Sequence, residues 1–186
     1  SAFEGFKSGS YTFRNEASSK IWATAYDFPS VEKGWVKKDT PPDGTLASGQ
    51  SFIFNLRKEQ FRDIRVREAI GLMFNFEWSN KTLFYGIYER IHSFWENSYL
   101  KATGLPSDGE LVFLNPKKEK LPEAVFSQEA KLAPQSSERQ LDRKNLRIAS
   151  KLLDEAGWKV GDDGIRRNNL GQKLKVEILN DSQAFD

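Results

Sequence analysis

The sequence predicts an α/β fold, a mixed sheet flanked by helices, and three stretches carry that prediction. Phe52, Phe54 and Leu56 alternate as one face of a strand. From Asp63 the period changes: Val66, Ala69, Ile70 and Met73 fall at i, i+3, i+4 and i+7, an amphipathic helix that Asp63 can cap and that is expected to pack on the preceding strand. Residues 137–156 form the best-punctuated helix. Ser137 and Gln140 match a capping box, and Leu141, Ile148, Ala149, Leu152 and Ala156 make its buried stripe. Gly157 ends it, placing Trp158 to fold back on Leu153. A hairpin over 159–167, turning at Asp162, Asp163 and Gly164, and a final strand alternating Leu174, Val176 and Ile178 complete the α/β pattern.

The remaining elements are shorter. Residues 2–7 read as a helix stopped at Gly9, 11–14 as a short strand, and 18–26 as a helix with Ile21, Trp22 and Ala25 on one face. Gly34, Pro41, Pro42, Gly44 and Gly49 make 33–49 a loop, with one extended piece at 35–37. The dense apolar run from Phe74 to Trp95 reads as a helix that breaks at Gly86 into irregular chain. Short helices are expected at 111–114 and, after Pro122, at 123–126, followed by a polar loop over 127–136. No internal repeat or low-complexity tract interrupts the chain.

Composition excludes several functions. With 186 residues, 38% hydrophobic and 29% charged, the chain fits one globular domain rather than a disordered segment. Lys and Arg number 28 against 26 Asp and Glu, a near-balance with no basic field to gather phosphates, so no nucleic-acid partner is expected. The absence of cysteine removes disulfides, thiolate metal sites and thiol redox chemistry, and leaves oxidising and reducing compartments equally open. No apolar run approaches the ~20 residues that span a bilayer, and no basic-then-apolar leader begins at Ser1, so a mature or trimmed soluble protein is expected. Aromatic residues reach 13%, which suits either an aromatic-rich core or a surface that grips ligands.

Catalytic patterns are sparse. His92 is the one histidine, so a His-rich zinc site is impossible and any Ser, His, Asp triad must be built around it. The glycines form neither GxxxxGK[ST] nor GxGxxG, so neither nucleotide nor any other cofactor is expected. Asp162 and Asp163 beside Gly164 lack the spaced oxygen ligands of a calcium loop and read as a hairpin turn, which leaves no metal site.

Longer motifs point to a family. FIFNLRKEQFRDIRVREA, residues 52–69, resembles the strand, loop and helix of family 5 extracellular solute-binding proteins, the dipeptide and oligopeptide binders. DRKNLRIASKLLDEAGWKVGDDGIRRNNLGQKLKVEIL, residues 142–179, resembles the same family's helix, AGW turn, DG hairpin and strand. Between them, FNFEWSNKTLFYGIYERIHSFWENSYLKATGLPSDGEL, residues 74–111, resembles the branch of oligopeptide binders related to the microcin C uptake protein. The opening FEGFKSGSYTFR, residues 3–14, resembles the segment leading from the large lobe toward the second lobe. Gln60, Asn75, His92 and Trp95 depart from residues common in the family or branch, which bears on ligand preference more than on fold.

The resemblance implies a periplasmic-binding-protein-like type II fold and a chain roughly three times longer in full, built of several domains. Residues 1–186 would then be part of the second, C-terminal lobe, beginning at the crossover from the first lobe and lacking the returning chain. The implied protein is no enzyme. It is the periplasmic substrate-binding component of an ABC importer, closing two lobes on an oligopeptide or peptide-like ligand before delivery to a permease in the inner membrane. The residues that would face the ligand are Ser93, Phe94, Trp95, Glu96 and Asn97, because aromatics give sequence-tolerant contact and polar groups serve a peptide backbone. Packing beneath a loop would use the same aromatics equally well. Two alternatives stand beside this reading: a peptide hydrolase with His92 as base and Glu96 four residues on, and a protein-interaction module. With the partner lobe and returning chain removed, exposed apolar surface and a sheet edge would favour self-association.

Overall fold

A computed structural model of the chain describes residues 1–47 and 49–179. Its helices are α1 (Ala2–Lys7), α2 (Ser19–Thr24), α3 (Pro29–Glu32), α4 (Ile64–Met73), α5 (Phe76–Leu83), α6 (Asp108–Leu114), α7 (Ala124–Ser127) and α8 (Arg143–Glu155). Two 3-10 turns, Glu59–Phe61 and Asn115–Lys120, and the hairpin β1 (Lys159–Val160) and β2 (Arg166–Arg167) complete the regular structure. The expected helices at 2–7, 18–26, 63 onward, 111–114 and 123–126 all form, as does the break at Gly86, whose φ is 72°.

The core lies where α4 packs on α8. Val66 and Ala69 from α4 meet Ala149 and Leu153 from α8, with Phe61 closing one end; all five are buried. Phe54, Ile70, Leu72, Leu152, Ala156, Trp158 and Leu174 pack around them, half-buried. Asp63 caps α4 by accepting from the Arg65 N–H at 2.9 Å, which satisfies one of the donors a helix start leaves unpaired. Val66, Ala69 and Ile70 of the α4 stripe are therefore covered as their spacing predicts, whereas Met73, at the last turn, is exposed. The partner of α4 is a helix, not the strand expected before it.

Helix α8 begins later than its capping pattern predicts. Asp142 is the cap, its carboxylate accepting from Asn145 N at 2.9 Å and from Ser137 N at 2.6 Å. The buried Asn145 amide donates to Gln135 O at 2.8 Å and Ser136 Oγ at 3.1 Å, so residues 135–142 wrap across the helix start instead of extending it. An ionised carboxylate is a stronger acceptor for helix-start donors than a serine hydroxyl, and it moves the boundary. Leu141 consequently lies outside the helix and exposed, and Ile148 is 41% exposed; Leu153 takes the place in the core that the stripe pattern assigns to them.

The C-terminus of α8 forms as expected. Gly157 sits at φ 87°, Trp158 N donates to Leu153 O at 2.8 Å, and Gly157 N donates to Asp154 O at 3.1 Å. These are the two backward bonds of a Schellman stop, and they lay Trp158 against the Leu153 cluster. The hairpin follows directly, pairing Lys159 with Arg167 and Val160 with Arg166 across the Asp162 to Gly164 turn. Arg166 stitches it to α8: its guanidinium donates to Asp154 Oδ1 (2.7 Å), Trp158 O (2.5 Å) and Ser150 Oγ (2.6 Å).

The sheet is much smaller than the mixed sheet the sequence predicts, a two-stranded hairpin with one further bridge between Arg167 and Lys173. Leu174 N donates to Arg166 O at 2.9 Å, and strand pairing stops there. Val176, Ile178 and Leu179 are exposed and unpaired; residues 52–56 likewise form no strand, with Phe52 and Ile53 exposed while Phe54 packs on Phe61 at 5.3 Å. Alternating side chains make one face apolar, but a strand also needs a neighbour to take its backbone bonds, and no such neighbour exists among the described residues. The expected strand at 11–14 is irregular for a different reason. Tyr11 stacks on Phe6 at 5.6 Å and its hydroxyl donates to Ala2 O, turning the chain back over α1. The extended piece expected at 35–37 curls instead, as Trp35 N and Val36 N both donate to Ser30 O.

A second apolar cluster joins α1, α2 and α3. Phe3, Phe6 and Tyr26 surround the buried Phe28 at 6.1 to 6.4 Å, with Trp22 on Tyr26 at 5.8 Å. Beside it the Glu16 carboxylate, its side chain 3% exposed, accepts from Arg14 Nε and Nη2 (both 2.9 Å), Ser18 N (3.0 Å) and Tyr26 OH (3.3 Å). With four donors around it, this buried charge is fully satisfied.

Candidate functional site

Residues 92–98 form a succession of turns in which polar side chains bond to backbone. Glu96 N donates to Ser93 O at 3.2 Å and Trp95 N to Ser93 Oγ at 3.1 Å, while Ser98 Oγ donates to Trp95 O at 2.8 Å. Asn97 has φ 60°, a left-handed conformation that Asn tolerates better than most residues. Its amide reaches across to the loop at 43–45, donating to Asp43 O at 2.8 Å and Thr45 O at 2.6 Å, and Ala47 N donates to Glu96 O at 3.3 Å. That loop is held in its own turn by Asp43, whose Oδ1 accepts from Thr45 N (2.9 Å) and Thr45 Oγ1 (2.8 Å).

The turn presents two aromatic rings. Phe94 is 90% exposed and Trp95 43%, and they meet edge to face at 5.5 Å and 84°. Of the five residues the sequence singled out, Phe94 and Trp95 face outward, whereas Ser93, Glu96 and Asn97 hold the turn that carries them. Sequence reasoning treats Glu96 and Asn97 as free polar groups; nothing in the local pattern shows the contact with residues 43–47, which are about fifty positions away. The detectable signal is the Pro-Pro-Asp-Gly-Thr turn at 41–45.

Electrostatics reinforce the turn. The Glu96 carboxylate pairs with Lys101 and accepts from His92 N at 2.9 Å and Ser93 N at 3.2 Å. The Lys101 ammonium first, then these backbone donors, pull its pKa from 4.5 to about 2. Because the folded pKa lies below the unfolded one, the resulting stabilisation is complete above about pH 5 and is lost as pH falls toward 2. Amide resonances of His92 and Ser93 are therefore expected to shift with a midpoint near 2, and Glu96→Gln to abolish that shift. A Glu96 titration near 4.5 would show that the turn is not held this way.

His92 is not placed as a general base. Its Nδ1 accepts from Ala133 N at 3.2 Å, and Glu96 bonds to the His92 backbone rather than to the imidazole. Among the described residues no group of His, Asp and Glu could hold a metal ion. Two shallow depressions lie elsewhere: one of about 380 Å³ along the hairpin at Gly157, Val160 and Arg167, the other of about 510 Å³ between α5 and the turn at Tyr85, lined by Phe76, Glu77, Asn80, Lys81 and Glu138. Residues 92–98 thus carry the Phe94 and Trp95 rings on a hydrogen-bonded turn, with both rings reachable from solvent.

Comparisons with known proteins give the family of the chain. Residues 1–185 match the family described as bacterial extracellular solute-binding proteins, family 5 Middle. The chain is 40% identical to the probable peptide-binding protein YejA of Agrobacterium fabrum, over 99% of this chain and 30% of that protein. It is 40% identical to the uncharacterized protein YejA of Escherichia coli, over 96% of this chain and 29% of the other. It is 30% identical to the peptidoglycan-binding protein YepA of Agrobacterium fabrum, over 98% and 31%. This chain belongs to the family 5 bacterial extracellular solute-binding proteins. It spans about 30% of the length of these relatives. No helix among the described residues is long and apolar enough to cross a membrane.

Proposed function

We propose that these residues form part of the second lobe, of periplasmic-binding-protein type II fold, in the substrate-binding component of an ABC importer. The complete protein captures an oligopeptide or peptide-like solute between two lobes in the periplasm and delivers it to a permease in the inner membrane. The names of two relatives support the ligand class, since peptides and peptidoglycan both carry peptide chains. The observation that carries the reading is the exposed Phe94 and Trp95 pair on a turn braced by Ser93, Glu96 and Asn97. Aromatic faces bind extended peptides with little regard to sequence, as an importer of mixed peptides requires, and the braced turn spares the ordering cost on binding. Exposed Phe52, Ile53, Val176, Ile178 and Leu179 support a second element of the proposal, that this section by itself self-associates.

The test is Trp95→Ala in the complete protein. Covering a further ~100 Å² of apolar ring is worth about 2.5 kcal/mol at roughly 25 cal/mol per Å², so peptide affinity by calorimetry is expected to fall about tenfold or more. The melting temperature should move little, because nearly half of the ring already faces solvent. Unchanged affinity with a collapsed melting temperature would identify Trp95 as a packing residue and remove it from the ligand surface.

A further inference from the structure

The loop at 127–136 makes backbone bonds at every third residue, each to a different part of the chain. Ala130 N donates to Gly104 O at 2.8 Å, Ala133 N to His92 Nδ1 at 3.2 Å and Ser136 N to the Glu77 carboxylate at 2.8 Å. Its far end is fixed to α8, where Asn145 Nδ2 donates to Gln135 O, and Lys131 pairs with Glu68 on α4. The loop is thus a strap that joins the two core helices to the turn carrying Phe94 and Trp95. Among the described residues His92 provides its one hydrogen bond to that turn, and no other acceptor reaches Ala133 N.

A neutral imidazole has one acceptor nitrogen and a protonated one has none. The bond from Ala133 therefore exists only while Nδ1 is free of a proton; protonation sets two N–H donors against each other. Ala133 is half-buried, and its N–H is then left without an acceptor, which favours local opening of the strap. The surrounding charges are already committed. Glu96 accepts from the His92 backbone N–H and pairs with Lys101 on the same turn, Lys131 is held by Glu68, Glu77 takes Ser136, and the Arg90 guanidinium stacks on Phe74 and Phe76. None of these is bonded to Ala133 N.

We propose that His92 is a pH-sensitive latch, which ties the strap to the aromatic turn when neutral and releases it when protonated. The latch concerns how the two rings are mounted and stands whatever they bind. Histidine is the side chain that ordinarily changes charge between about pH 5 and 8, so acid loosens the turn. The α4 and α8 seam, whose buried residues are all apolar, keeps its packing.

The test is hydrogen exchange at single-amide resolution on the complete protein at pH 8 and pH 5, each rate taken relative to the unstructured chain at the same pH. In the wild type, protection of Ala133 is expected to fall about tenfold or more on acidification, and that of Ala130, bonded to a carbonyl, by less than about threefold. His92→Asn presents a side-chain carbonyl that accepts without titrating, and it should protect Ala133 equally at both pH values. His92→Ala should leave Ala133 unprotected at both. Loss of protection at both pH values in the two variants, with the wild type still switching, would also assign the latch to His92.

Wild-type Ala133 exchanging at the same relative rate at the two pH values would overturn the proposal whatever the variants do. Protection of Ala133 in His92→Ala would overturn it too. So would a pH response in His92→Asn as large as that of the wild type, which would trace the effect to Glu77 or to the Lys131 and Glu68 pair.

Discussion

Leu153→Ala is expected to remove roughly 2 to 5 kcal/mol of stability, the range for deleting a buried leucine that its neighbours cannot fill. Leu153 is 2% exposed and touches the cluster of Phe61, Val66, Ala69 and Ala149, where α4 and α8 meet with two alanines in the seam. Alanines leave backbones close and side chains short, so the hole has little that can move into it. Against a total of roughly 5 to 15 kcal/mol for a domain, that loss is a large share. Urea unfolding checks it: the midpoint should fall with little change in slope, and Leu153→Met, which preserves volume, should lose less than about 1.5 kcal/mol. A loss below about 1 kcal/mol for Leu153→Ala would mean that the α4 and α8 seam is not the centre of the core.

Arg166→Ala is expected to cost about 3 kcal/mol or more and to loosen the hairpin selectively. The side chain is 15% exposed and joins three acceptors belonging to α8 and its terminus. Asp154 is 42% exposed and recovers water when the arginine is lost, so that contact contributes little. The bonds to the Trp158 carbonyl and the Ser150 hydroxyl contribute more, since hydrogen bonds from a charged donor are worth roughly 1.5 to 3 kcal/mol each. Hydrogen exchange should show the amides of Gly161 and Leu174, bonded to Ile165 O and Arg166 O, losing protection well before those of α8. Uniform loss across both would place Arg166 in the global core instead.

These two residues mark how far the sequence is legible. Most of the α4 stripe can be read directly, because Asp63 caps it and the spacing of Val66, Ala69 and Ile70 matches the covered face, although Met73 at its end is exposed. The end of α8 can be read for the same reason, Gly157 being able to hold φ 87° without strain. Its start cannot: Ser137 and Gln140 satisfy the local pattern for a cap, but Asp142 wins through contacts that depend on where residues 135 and 136 lie. Strand alternation at 52–56 and 174–178 describes which faces could be buried, while pairing depends on chain that is not adjacent in sequence. The same limit applies at the candidate site. The aromatic run is visible, yet the inward turn of Glu96 and Asn97 depends on Lys101 and on the loop at 43–45. Arg166 draws no notice in sequence because nothing local distinguishes it from its neighbour Arg167.

Because the two core helices flank everything between them, residues 74–142 behave as a single long excursion that leaves the α4 and α8 seam and returns to it. The cost of closing such an excursion rises only with the logarithm of its length, so lengthening it by a third adds only about 0.25 kcal/mol. Phe94 and Trp95 both lie on this excursion, and neither belongs to the seam. Insertions and substitutions there can reshape the turn that carries the two exposed rings while the helix pair of the core is left untouched, so that surface and stability can diverge independently in evolution.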